Sequence, residues 1–260
     1  MTRGLWDREM VALLLLAALM PLALVWLWFG GLEAVSRLAF ALVLSGLWHL
    51  VFMLARAQPP SLAGVITALA VAMLAPEDLG LFQLVLGISF GAVFGELVFG
   101  GWGRNVVNPA TVTLAFVGFG FPAYPWPEFL VPVVWATLPV AVIGIGAGVM
   151  AFGTFAAAIG VLAGALALGL APEGTVFAAA IVLAVLVSDP VTSAQTALGR
   201  WLYGGLYGAL VVLFARGWDG AAPVQLGVAA SLLASLAAPA LDEIAVALWV
   251  LNRRRRHGKS

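Results

Sequence analysis

Residues 129–172 carry no charged side chain. A helical membrane crossing needs about 20 residues, so this run is long enough for two. Further charge-free windows lie at 10–29, 38–55, 57–76, 79–95, 105–127, 174–188, 201–215 and 220–241. Hydrophobic residues make up 63% of the chain and charged ones 9%, where soluble domains carry roughly 25% charge. The pattern predicts an all-α, polytopic membrane protein of about ten transmembrane helices. The last extends toward Leu251, either bent at Pro239 or followed by a separate amphipathic segment. No connection is long enough for a soluble domain, so residues 1–260 read as a single membrane domain.

With the amino terminus in the cytoplasm, Arg3, Arg8, Arg56, Arg104, Arg200, Arg253–Arg256 and Lys259 fall inside, and only Arg37 and Arg216 outside. Glu33, Glu77, Asp78, Glu128, Glu173 and Asp219 also fall outside. The positive-inside rule therefore predicts both termini cytoplasmic and a multi-pass protein of the inner membrane. The first apolar run lacks a small-residue cleavage site and reads as a retained helix. The zero net charge conceals the asymmetry; the bilayer is the expected partner, and nucleic acid is not. The chain has no cysteine, which excludes a cysteine-ligated iron–sulfur cluster within it. With only His49 and His257, a haem held between two intramembrane histidines is not expected. A redox centre would be an organic group held noncovalently or through oxygen, or would belong to a partner.

Tyr124-Pro125-Trp126-Pro127-Glu128 suits an interfacial turn and divides the chain into halves at 1–123 and 128–260, the second ending in a basic cytoplasmic tail. Five spans in each half give opposite orientations, hence an inverted repeat. Windows 174–188 and 201–215 are short for a crossing, which points to broken or re-entrant helices around a site. Gly144-Ile-Gly-Ala-Gly148 and Gly160-Val-Leu-Ala-Gly164 read as tight helix packing. Trp26, Trp28, Trp126, Trp201 and Trp249 read as an interfacial belt.

Two polar elbows interrupt the apolar chain: Gly100-Gly101-Trp102-Gly103-Arg104-Asn105-Val106-Val107-Asn108-Pro109-Ala110, and Ser188-Asp189-Pro190-Val191-Thr192-Ser193 closed by Gly199-Arg200. In each, Asn or Asp before Pro predicts an N-cap followed by Pro at the first helical position. Gly100, Gly101 and Gly103 permit close backbone approach to a flat ligand. Asn105 and Asn108 offer amide donors and acceptors, and Asp189 accepts from hydroxyls or an imide. That mixture suits a flavin; Asn108 and Asp189 could equally be simple helix caps.

These elbows resemble the signatures of one family, which comprises the D-type membrane component of Rnf electron-transport complexes and the homologous B-type component of sodium-pumping NADH:quinone reductase. Pro239-Ala-Leu-Asp242 ahead of the basic tail resembles its carboxyl end. The likeness covers most of the chain from about Ser61, and the first helices contribute little. It implies ten helices in a 5+5 inverted repeat similar to urea transporters, a noncovalent flavin (riboflavin or FMN), and other membrane redox subunits as partners. It further implies electron transfer across the membrane, with ion movement as a candidate coupled process. The resemblance carries a flavin-binding role over to Asn105, Asn108 and Asp189; with Gly100, Gly101, Gly103 and Thr192 these are the candidate cofactor-binding residues. The chain departs from the family in lacking the long loop that carries FMN on a threonine. The only partial match, Trp135-Ala136-Thr137-Leu138-Pro139, lies within an apolar run, so Thr137 reads as an intrahelical threonine.

Glu96, a carboxylate in an apolar run, is a candidate ion or proton site, or else a partner of Arg104 or a cap for the elbow backbone. His49 reads as an interfacial polar residue without a second metal-binding side chain at suitable spacing. Asp242-Glu243 bounds the last crossing, and Arg253–Arg256 contacts anionic lipid. Two other functions fit the same fold: a small-solute or flavin transporter or channel, and a non-redox membrane anchor for partner subunits.

Overall fold

The computed structural model describes residues 7–56 and 61–257. Arg3, Lys259 and the start of window 57–76 lie outside the described residues, as do the side chains of Arg56, Arg255 and Arg256. The described residues form helices and connecting turns, with no strand among them. The helices are α1 (Arg8–Arg56), α2 (Ala63–Leu74), α3 (Leu81–Gly95), α4 (Pro109–Gly120), α5 (Val131–Trp135), α6 (Thr137–Gly146), α7 (Phe152–Ala167), α8 (Glu173–Val182), α9 (Ala197–Gly217) and α10 (Pro223–His257).

Four of these stretches are long and apolar enough to cross a membrane: Arg8–Ala55, Leu81–Phe99, Ala197–Gly217 and Pro223–Arg254. Ala63–Leu74, Pro109–Gly120, Val131–Gly146, Phe152–Ala167 and Glu173–Val187 are shorter apolar helices. The chain is a multi-pass membrane protein whose exposed side chains include Trp28, Leu32, Phe82 and Val142, as expected of a surface that faces lipid.

α1 spans two predicted windows because it is bent at Gly31 (φ 57°, ψ −143°), a backbone region essentially confined to glycine. Window 105–127 shrinks to α4: its first residues belong to the elbow, and Phe121 ends the helix. The long run 129–172 divides at 147–151, where Gly148 takes a positive φ of 75°. α8 passes into a π-helical turn, Leu183–Val187, ahead of the second elbow.

Long-range hydrogen bonds define two ends of the bundle. At one, Arg8 Nη1 donates to the Trp102 carbonyl, and Glu9 Oε2 accepts from Ser61 Oγ and the Leu62 amide. Both elbows lie at this end. At the other, Arg37 Nη2 donates to the carbonyls of Ala75 and Pro76, and the Glu77 amide donates to Pro125 O.

Two packing expectations change. Among the described residues no atom lies within 4 Å of the Cβ positions of Gly146, Gly148, Gly160 and Gly164, whereas that of Gly144 meets the Met150 side chain. Close helix approach instead uses Gly87, Gly91 and Gly95 of α3 against Pro109, Thr113 and Val117 of α4, and Gly204 and Gly208 of α9 against α7. A methyl at Gly91 would overlap the Thr113 hydroxyl and sit 2.7 Å from the Pro109 carbonyl oxygen. Trp126 is buried rather than in the belt, because its ring lies over Gly118, where a Cβ would meet it at 2.7 Å.

Candidate functional site

The first elbow begins with a 3-10 turn, Leu97–Phe99, and then turns through Gly100 (φ 102°), Gly101 (φ 89°) and Gly103 (φ 95°). Side chains with a Cβ rarely adopt these values. Asn105 stabilises the turn from within, with Oδ1 accepting from the Gly103 amide at 3.1 Å and Nδ2 donating to Val107 O at 3.3 Å. Asn108 caps α4 as expected: Oδ1 accepts from the amides of Ala110 (2.9 Å) and Thr111 (3.4 Å), with Pro109 next.

The second elbow departs from its prediction. Asp189-Pro190 does not start a helix, because the Asp189 carboxylate turns back on its own loop. Oδ1 accepts from the Val191 amide at 3.0 Å and Oδ2 from Thr192 Oγ1 at 3.2 Å, the side-chain-to-backbone turn that Asp favours. α9 starts later, at Ala197, capped by Thr196, whose Oγ1 accepts from the Gly199 amide. Asp242 of α10 completes the arrangement. Its carboxylate accepts from the Gln195 amide (2.8 Å), the Thr196 amide (2.9 Å) and Thr196 Oγ1 (2.6 Å). A residue expected only to bound the last crossing therefore fastens α10 to the elbow. Two acceptor oxygens that could serve a distant loop were its only signal.

The elbows meet. Asn108 Nδ2 donates to Asp189 Oδ2 at 2.9 Å, with both residues buried. The structure thus brings together Asn108, Asp189 and Thr192, while the hydrogen bonds of Asn105 stay inside its own elbow. Asp189, 2% exposed, already holds three donors on its two oxygens.

Beside the second elbow lies a cleft of about 450 Å³ lined by Val11, Ala147–Ala151, Pro190, Ser193, Gln195 and Arg200. Its size falls within the usual range for small-molecule sites. Ser193, Gln195 and Arg200 supply polar groups on one side; Val11, Val149 and Met150 supply apolar wall. Asn105, Asn108 and Asp189 do not line it. Gln195 Nε2 already donates to the carbonyls of Pro190 and Ser193, so Arg200 is the donor on the polar side and the Gln195 side-chain oxygen an acceptor, a set compatible with the polar edge of a flat, partly apolar ligand such as a flavin.

Glu96 is 1% exposed, and its Oε1 lies 3.3 Å from His49 Nε2. It does not pair with Arg104, whose side chain folds along Gly100. Its carbonyl does cap the elbow backbone, accepting from the amides of Phe99 and Gly101. His49, expected at the interface, is instead the partner of Glu96; their separation of 47 residues hid the pair from sequence reasoning. Thr137 is buried at the start of α6, where its Oγ1 donates to Val134 O of α5 at 2.7 Å, a local bond across the α5–α6 junction. Among the described residues no group of three or more His, Asp or Glu could hold a metal ion.

The family model described as the NQR2, RnfD, RnfE family matches residues 5–133. The match takes in the first helices, so they carry more of the likeness than their motifs suggested. The chain is similar to the B-type component of the Na(+)-translocating NADH-quinone reductase of Yersinia pestis, 27% identical over 280 aligned positions that cover 84% of this chain and 67% of that protein. The corresponding protein of Ectopseudomonas mendocina is 25% identical, covering 84% and 68%. That of Neisseria meningitidis serogroup B is 37% identical over 95 positions, 36% of this chain and 23% of that protein. The family model over residues 5–133 and the reductase relatives across most of the length agree on one likeness: this chain is similar to the NQR2, RnfD, RnfE family.

Proposed function

We propose that this chain is a membrane subunit of a redox complex of the NADH-quinone reductase and Rnf kind, working with other membrane redox subunits and holding a noncovalent flavin in the cleft beside the second elbow. The observation that carries the reading is the Asn108–Asp189 bond. It joins the two elbows that bear the family's signatures next to a cleft of flavin size. A bound flavin supplies one- and two-electron chemistry. The residues of the chain would orient it: Arg200 would donate to its polar edge and the Gln195 side-chain oxygen accept from it, Val149 and Met150 would exclude water, and Asn108, Asp189 and Thr192 hold the elbows in register. Gly100, Gly101, Gly103 and Asn105 shape the first elbow and act through it.

The architecture we assign is ten crossings in the inner membrane, with both termini cytoplasmic and halves 1–123 and 128–260 of opposite orientation. Two parallels support it. With α1 counted as two crossings and α5 with α6 as one, α2 and α8 are the third helices of their halves and both are short, and α4 and α10, the fifth, both start with Pro. An odd number of crossings would overturn it.

The test of the flavin is the visible spectrum of the purified full chain before and after acid precipitation. Yellow in the supernatant is the expected result. Yellow retained in the pellet, and lost in Thr137→Val, would mean covalent FMN; colourless protein would overturn the flavin altogether and favour transport or anchoring.

A further inference from the structure

Glu96 Oε2 is a buried carboxylate oxygen without a hydrogen-bond partner among the described residues. Leaving such an atom unsatisfied costs about 1–3 kcal/mol or more, so its retention in the bundle calls for a ligand. Glu96 lines a small cavity under the first elbow, with Arg8, His49, Ser61, Leu97, Gly100 and Gly101. Its volume of about 10 Å³ is on the scale of a single water.

The bonds around His49 set the proton count. Nδ1 lies 2.9 Å from the Ser45 carbonyl oxygen, which can only accept, so Nδ1 carries hydrogen. The contact between Nε2 and Glu96 Oε1 then requires one further proton, on either the imidazole or the carboxyl. The ring is held in place by Gly64, where a Cβ would approach His49 Cε1 to 2.7 Å. We propose that Glu96 and His49 together form a buried site for one exchangeable proton, loaded through the cavity beneath the first elbow. The site does not depend on the flavin reading.

The surroundings favour a proton over a metal cation. A hard cation takes six or more oxygen ligands, whereas this cavity is small and has the Arg8 side chain in its wall. The charged groups facing the pair are Arg8 and Glu9 from the start of α1, Arg104 along Gly100, and Asp189 from the second elbow. Binding moves a proton from the cavity onto the carboxylate and into the Oε1–Nε2 contact, turning the neutral imidazole and carboxylate into a pair of zero net charge. Release reverses the same transfer.

The chain has two histidines, so in His257→Gln a ¹⁵N-histidine NMR titration of the full-length protein in lipid nanodiscs reports His49 alone. Hydrogen on Nδ1 throughout is expected. In Glu96→Gln, proton affinity at Nε2 should fall at least tenfold, about one pH unit. Sodium chloride and potassium chloride at equal ionic strength should give the same titration. An unchanged affinity in Glu96→Gln, hydrogen missing from Nδ1, or a midpoint that sodium displaces would each overturn the proposal. If Glu96→Gln does not accumulate, infrared spectroscopy of the unsubstituted chain decides: carboxyl absorption changing in step with the histidine signals supports it, and a carboxylate silent through that titration refutes it.

Discussion

Asn108 uses its oxygen on α4 and its nitrogen on Asp189, so one side chain both starts a helix and joins two distant loops. Asn108→Leu removes the cap, worth about 1 kcal/mol, and leaves Asp189 short of a donor, at about 1–3 kcal/mol. We expect a lower thermal midpoint and less copurifying flavin together. Arg200→Gln should instead weaken flavin binding roughly 5- to 150-fold while the midpoint stays put. A thermal ramp alongside quantified flavin separates the two; an Asn108→Leu protein as stable as the parent would deny the elbows their joint. The Asn108 cap was legible because Asn-Pro-Ala precedes an apolar run. The same argument misplaced Asp189-Pro190, since a carboxylate can bond its own loop as readily as a helix terminus, and Thr196 stood closer to the real start of α9. Glu96 was visible as a charge in apolar sequence, but its partner on another helix was not.

Helix pairing rests on glycine columns and on one carboxylate. Gly91→Ala drives a methyl into Thr113 and Pro109, an overpacking of about 1–3 kcal/mol. Gly160→Ala meets nothing and should be neutral or slightly stabilising. Denaturation in mixed micelles reads the contrast, and equal effects would remove the α3–α4 seam from the account. Asp242→Ala strips the acceptor from Gln195 and Thr196, so hydrogen exchange at those two amides should quicken while α7 is unaffected. Small-residue spacing alone could not tell these glycines apart: Gly160-xxx-Gly164 and Gly87-xxx-Gly91 look alike until the helices are placed. Gly31 lies in the charged gap between windows 10–29 and 38–55, where a connection was expected; that the connection is a bend inside one helical run was not visible in the sequence.

Across the whole molecule, the charge-free windows located most helices, because lipid admits few other uses for such runs. They failed on length, since elbow residues such as Val106 and Val107 are as apolar as the helix they precede. The two ends of the bundle yield a direct check. Asp78 and Arg104 are exposed at opposite ends, and the chain has no cysteine. Asp78→Cys and Arg104→Cys should therefore be labelled by an impermeant maleimide from opposite faces of a sealed vesicle, and labelling from one face would refute the two-ended arrangement. The short helices between those ends carry a further consequence. α2 and α4 have 12 residues each, about 18 Å of helix against about 30 Å of hydrocarbon. Where the polar elbows admit water, a transmembrane voltage drops across this thinner septum and is about 1.7 times steeper than across lipid. A single charge traversing it exchanges about 2.3 kcal/mol per 100 mV, concentrated over the stretch of protein that the elbows and the Arg37 turns enclose.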